Sequence, residues 1–151
     1  VPSPYAYRQF RSAAGEDLVL DQNFFIEKVL PLLIKRPLLP EEMQEYRRPF
    51  ATREDRWPLL AFPREIPIGG EPADVASIVN EYAVWLQKSM VPKLFIESEH
   101  PAALAGAVGD FCRAWSNQTK VTVAGIHFVQ EDSGPEIGTA IADWLRGIRS
   151  K

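Results

Sequence analysis

Two short segments hold most of the residues capable of acid–base chemistry. One is Gly125-Ile126-His127-Phe128-Val129-Gln130-Glu131-Asp132; the other is Glu97-Ser98-Glu99-His100-Pro101. His127 stands between two apolar residues. That setting holds an imidazole away from bulk water and lets it act as a general base near neutral pH. It could equally be a loop histidine bonded to a neighbouring backbone group. His100, between Glu99 and Pro101, reads as a solvated loop residue whose acidic neighbour could support an acid/base pair. Glu131 and Asp132 have the look of a paired-carboxylate site, but adjacent acids also suit the positive end of a following helix. Glu97 and Glu99 could orient a histidine or be surface charge. Cys112 falls on an apolar helix stripe, the place of a buried, inert thiol. Gly69-Gly70 lacks the following helix and the spacing of a phosphate loop, so it reads as a turn.

These segments are positioned by a regular second half. After Pro72, the residues Val75, Ile78, Val79, Tyr82 and Leu86 follow helical spacing. A short apolar run at 91–96 predicts a buried strand. Val108, Phe111, Cys112 and Trp115 fit a helix. Residues 120–124 predict a second strand, rich in β-branched side chains. Ser133 and Glu136 match a capping box, with Pro135 in the first turn. Ile137, Ile141, Trp144, Leu145 and Ile148 then form the stripe of a closing helix. The order helix, strand, helix, strand, helix predicts a right-handed α/β unit with parallel strands. In such sheets ligands bind beyond the carboxyl ends of the strands, where both candidate segments lie. Two strands alone leave edges and apolar faces uncovered. Further strands are therefore expected from another chain or from sequence before Val1.

The first half is different. Ten of the 13 prolines fall within residues 1–72. Proline breaks helix interiors and cannot donate to a ladder, so short helices and irregular turns are expected there. Phe24, Phe25, Trp57 and Phe62 could be core, or could line an apolar pocket beneath a small helical cap. The 151 residues suit one ordinary domain, and 46% apolar with 25% charged excludes a disordered tail. No apolar run is long enough to span a membrane. A net charge of −3 leaves no electrostatic footprint for nucleic acid or an anionic bilayer. One cysteine excludes an internal disulfide and a cysteine-based zinc site, and two histidines argue against a His-rich metal site. The chain opens Val-Pro-Ser-Pro with no signal-peptide pattern, and is expected to be processed, truncated or fused.

Several motifs stand in a specific order: Phe10-Arg11-Ser12, Asn23-Phe24-Phe25-Ile26-Glu27, Val29-Leu30-Pro31, Tyr46-Arg47-Arg48-Pro49-Phe50, Phe62-Pro63-Arg64-Glu65-Ile66-Pro67-Ile68, Pro92-Lys93-Leu94-Phe95-Ile96, and the segment around His127. Together they resemble the haloalkane dehalogenases of the α/β-hydrolase fold over about residues 10–148. Coelenterazine-oxidising luciferases share these patterns, particularly at 92–99, and are the alternative within the fold. The resemblance implies an α/β protein, a partial α/β-hydrolase fold. Residues 1–90, with Tyr7 near their start, would be a helical cap and connecting helix. Residues 91–151 would be the carboxyl-terminal part of the core, with the last two strands and last two helices of its parallel-type sheet.

The same resemblance implies that His127 is catalytic. It places Phe25, Leu33, Phe62, Pro63, Ile66, Leu104 and Phe128 on substrate-pocket positions. Phe62 stands where the family often has tryptophan. The segment Glu99-His100-Pro101-Ala102-Ala103-Leu104 departs in length from the family. The implied partners are a small halogenated hydrocarbon, water and halide, with no cofactor, metal, nucleic acid or membrane. The implied location is cytoplasmic, or periplasmic if a signal lay in the missing part. The family's nucleophilic aspartate, halide-binding asparagine and tryptophan, and the acid orienting the histidine belong to its amino-terminal half. None occurs here. The chain is thus expected to be the carboxyl-terminal half, inactive alone and in need of an amino-terminal partner. The alternative from a different class is a truncated fragment with no catalytic role.

Overall fold

The structure is a computed structural model that describes residues 9–100 and 104–149. Tyr7, Pro101, Ala102, Ala103 and Lys151, on which sequence expectations also fell, lie outside the described residues. The chain divides into two units, Val1–Leu32 with Pro37–Asn80 and Leu33–Arg36 with Glu81–Lys151.

The first unit is built from short helical pieces, as its prolines require. Ala13–Glu16 runs into two wide π-helical turns, Asp17–Asp21 and Phe25–Val29. Between them Asn23 adopts φ 50°, a left-handed conformation that asparagine tolerates better than most residues. Helix α1 (Pro40–Arg47) and helix α2 (Trp57–Glu65) follow, with single turns at Arg48–Phe50 and Glu54–Arg56. Phe10, Val19, Leu20 and Leu60 form the buried centre, with Phe24, Phe25, Val29 and Leu59 packed on it. Irregular backbone leaves carbonyls without helical partners, and arginine forks take them up. Arg56 donates to the carbonyls of Phe50, Leu20 and Ala51, and Arg64 to that of Phe10. The Gly69-Gly70 turn forms, with φ 65° and 88°, and closes a bridge between Ile68 and Glu71, although, against the sequence expectation, a helix does follow it, from Ala73.

This core gives a sharp contrast in expected stability. Leu60 is fully buried, so Leu60→Ala should cost about 2–5 kcal/mol. Phe62, two residues on, is 70% exposed, so Phe62→Ala should stay within about 0.5 kcal/mol. Urea unfolding of the two variants, each in a protein that also supplies the further strands expected above, checks both values. A large loss for Phe62→Ala would restore the reading of that ring as core.

The second unit holds the regular elements. Helix α3 (Ala73–Lys88) begins in the first unit and ends in the second. Strand β1 is Lys93–Ser98 and strand β2 is Gln118–Val123; helix α4 (Ala107–Arg113) lies between them in sequence. The strands pair in parallel, from Lys93 opposite Gln118 to Ser98 opposite Val123. Both are shifted by about two residues from the sequence expectation. A short helix α5 (Val129–Asp132) precedes the closing helix α6 (Gly134–Arg149), which touches both strands. The expected side-chain capping box at α6 does not form. The buried Ser133 hydroxyl donates instead to the Ala124 carbonyl at 2.8 Å, which fixes the end of β2.

The helices of this unit keep apolar stripes exposed. Tyr82, Val84 and Trp85 of α3, Val108 and Phe111 of α4, and Ile141, Leu145 and Ile148 of α6 all face solvent. A groove of about 840 Å³ opens between the strands and α6, walled by Leu94, Val121, Pro135, Ala140, Trp144 and Ile148. No described helix is long and apolar enough to cross a membrane.

Candidate active site

The loop after β2 is built by constraint at every residue. Ala124 O accepts from Ser133. Gly125 has φ 136°, a region that side chains rarely adopt. A Cβ there would stand 3.1 Å from Asp132 Oδ2 and 3.2 Å from Val129 Cγ1, so the close approach of helix α5 needs glycine. The Ile126 carbonyl accepts from Ser98 Oγ at 3.1 Å, at the buried end of β1. The backbone N–H groups of His127 and Phe128 both donate to the Leu33 carbonyl, at 3.1 and 3.2 Å. His127 therefore stands beyond the carboxyl end of the sheet in a loop with little freedom.

Its side chain is more open than its neighbours suggested. His127 is exposed, not held away from water by Ile126 and Phe128. The apolar neighbours bracket it in sequence, and the Phe128 ring meets the imidazole edge to face at 4.9 Å between centroids. Partial burial still pushes the His127 pKa below the ordinary histidine value of about 6.5. Its imidazole bonds no carboxylate among the described residues. The neutral form, which can accept a proton, is thus the resting form at pH 7.

That shift has a defined consequence. The unfolded chain takes up a proton near pH 6.5 that folded His127 resists until lower pH. Between those values the unfolded state binds more protons, so acidification through the window weakens the fold, and the effect is absent above it. An NMR titration of the His127 ring should give a midpoint below 6.5. A midpoint at or above that value would contradict the burial effect.

The surrounding carboxylates have other partners. Glu131 and Asp132 do not merely face the start of α6. Asp132 accepts from the backbone N–H of Lys35 at 3.0 Å and of Arg36 at 2.9 Å, and Arg36 bonds the Glu131 carbonyl and carboxylate at 2.6 and 2.9 Å. Glu97 pairs with Arg113 at 2.9 Å and so does not orient a histidine. Glu99 and His100 are exposed. Cys112 is half-buried, and burial raises its thiol pKa, which suits the inert reading. No group of three His, Cys, Asp or Glu among the described residues could hold a metal ion.

The expected pocket residues divide between the units. In the second, Leu33, His127 and Phe128 are brought together by the shared carbonyl. Leu104 is half-buried and its carbonyl accepts from Arg113 at 3.3 Å. In the first unit, the Phe25 ring lies 5.3 Å from that of Phe10, Pro63 is buried in the last turn of α2, and Phe62 is exposed. Ile66 ends α2 in extended conformation, as a residue before proline prefers, and its carbonyl accepts from Arg11. Sequence reading missed Ser98, Asp132 and Arg36 as supports of the loop. The adjacency of Arg36 to Pro37 and of Asp132 to Ser133 gives no local sign of contacts about a hundred residues apart.

No protein-family model matches the chain. It is 56% identical over 144 residues to a haloalkane dehalogenase of Sphingobium indicum, covering 95% of this chain and 49% of that protein. It is 48% identical over 147 residues to one of Mycolicibacterium smegmatis, covering 95% and 47%. The crystal structure of a haloalkane dehalogenase from Bradyrhizobium elkani superposes with a TM-score of 0.91 at 41% identity, covering 97% of this chain and 51% of that one. The chain spans about half the length of the curated relatives it matches. Its fold is a partial α/β-hydrolase arrangement, helical elements with two parallel strands of the sheet.

Proposed function

We propose that this chain belongs to the haloalkane dehalogenase family and supplies the catalytic histidine of hydrolytic carbon–halogen cleavage. The observation that carries the reading is His127, neutral and fixed by its backbone beyond the carboxyl end of β2, within a stretch similar to dehalogenases along nearly its whole length.

In this reading an aspartate carboxylate attacks the halogen-bearing carbon. A carbon–oxygen bond forms and the carbon–halogen bond breaks, the halide leaving with the electron pair. The product is an alkyl ester on the enzyme, and one difficult hydrolysis becomes two easier steps. His127 then takes a proton from water as the water oxygen attacks the ester carbonyl. The alcohol leaves, the carboxylate is regenerated, and His127 gives its proton up to solvent, so that the sum is haloalkane and water to alcohol, halide and a proton. The nucleophile, the halide-binding groups and the acid that orients His127 come from the portion of the relatives that this chain does not match. An amino-terminal half of the same fold is thus the partner. In the unit that carries His127, Leu33, Leu104 and Phe128 are the substrate-contacting positions. Apolar side chains suit a haloalkane, which has almost no hydrogen-bonding groups. No metal or organic cofactor takes part.

The test is a chimera in which this chain replaces the matched portion of the Sphingobium indicum dehalogenase. It should convert a short haloalkane to halide and alcohol in equal amounts. A folded chimera that releases neither would overturn the reading. Light on adding coelenterazine, with no halide release, would favour the luciferase alternative.

A further inference from the structure

The segment Leu33–Arg36 lies in sequence between two stretches of the first unit but belongs to the second. Its bonds run to one place, the loop and short helix that follow β2. Leu33 O accepts from both His127 N and Phe128 N. The Asp132 carboxylate answers from the far side of the same loop by accepting the N–H groups of Lys35 and Arg36. Arg36 returns its guanidinium to Glu131. A Cβ at Gly125 would stand 3.1 Å from Asp132 Oδ2, so the carboxylate also lies close against the start of the loop.

We infer that Asp132 is a positioning residue: by locking the Leu33–Arg36 strap it sets the place of His127 for the water-activating step. This rests on the dehalogenase reading above. A carboxylate fits the task because Oδ1 accepts from both Lys35 N and Arg36 N, at 3.1 and 2.9 Å, Oδ2 accepts from Lys35 N as well, at 3.0 Å, and the charge strengthens all three bonds. An amide loses the charge and turns an NH2 group, which cannot accept, toward the Lys35 N–H. When Asp132 is altered, Leu33 is no longer held, and the carbonyl that anchors His127 and Phe128 loses its register. The acid assigned above to orient the His127 ring lies in the unmatched portion, so what this chain itself contributes to the aim of the ring is the place of its backbone, held by the Leu33 carbonyl. Displacements of about 1 Å can cost about 100-fold in a positioned step.

The histidine acts only after halide has left, so the two steps separate the roles. Asp132→Asn in the chimera should still release about one halide per active site in a rapid-quench assay. Its steady-state turnover should fall about 10-fold to 100-fold, with alkylated protein visible by intact mass. A purely structural role would lower burst and turnover in proportion, as folded protein is lost, and that result overturns the proposal. So does turnover equal to the unaltered chimera. Should Asp132→Asn not fold, Arg36→Gln decides: a full burst with slowed turnover supports the strap, and unchanged or proportionally reduced burst and turnover refute it. Absence of halide release by the unaltered chimera would instead remove the dehalogenase reading, and the positioning role with it.

Discussion

His127→Gln, in a complete enzyme carrying this chain, should release about one equivalent of halide per active site and then stop. Carboxylate attack on carbon needs no base, whereas hydrolysis of the resulting ester needs one to take the proton from water. Loss of a general base typically costs about 100-fold to 10,000-fold in the step it serves. The protein should therefore accumulate with an alkyl group on its nucleophile. Glutamine keeps the size of the side chain, and the anchoring bonds of residue 127 come from its backbone N–H, so the loop should persist. Rapid-quench halide measurement with intact mass checks the result. Sustained turnover at the unaltered rate would remove His127 from the mechanism.

The second large effect concerns the 151 residues by themselves. Trp85 is 57% exposed and Ile78 61%, and they continue a stripe through Tyr82 on α3. Ile141, Leu145 and Ile148 repeat the pattern on α6. Covering one such side chain is worth about 1.5–3 kcal/mol. Even three of them amount to about 5 kcal/mol, or roughly 10–20 °C in Tm for a protein of this size. The isolated chain should therefore bind a hydrophobic dye and unfold over a broad range. Adding the portion of the Sphingobium indicum enzyme that the chain does not match should quench the dye and sharpen and raise the transition. A cooperative, dye-free transition for the isolated chain, unmoved by that addition, would contradict the view that these stripes wait for more of a sheet.

Much of the second unit was legible because its signals are local. The β-branched run before Ala124 reads as a strand, and an intervening helix makes the pairing with β1 parallel. In the first unit, the two glycines at 69 and 70 read as a turn because they lack the spacing of a phosphate loop, and the turn is there, with both φ values positive. The support of His127 was not legible. Asp132 looks like a helix-start acid until residues 35 and 36 arrive beside it, and Ser133 looks like a cap until the Ala124 carbonyl takes its hydroxyl. The first depends on an approach across nearly a hundred residues and the second on how the loop after β2 folds back on its own strand end, and no spacing in the chain encodes either. Exposure misled in the same way. Phe62 sits in an apolar helix and His127 between apolar neighbours, yet both face solvent because neighbours in sequence need not be neighbours in space. The wide turns at Asp17–Asp21 and Phe25–Val29 escaped notice since an added residue per turn leaves no compositional mark.

The most direct measurement is complementation in trans. The purified chain, titrated with the unmatched portion of the Sphingobium indicum dehalogenase expressed separately, is assayed for halide release from a short haloalkane. Neither piece should act alone, and activity should rise to a plateau at one-to-one stoichiometry. Halide release by this chain alone, or a complex that folds at one-to-one ratio and never releases halide, would contradict the role assigned to it.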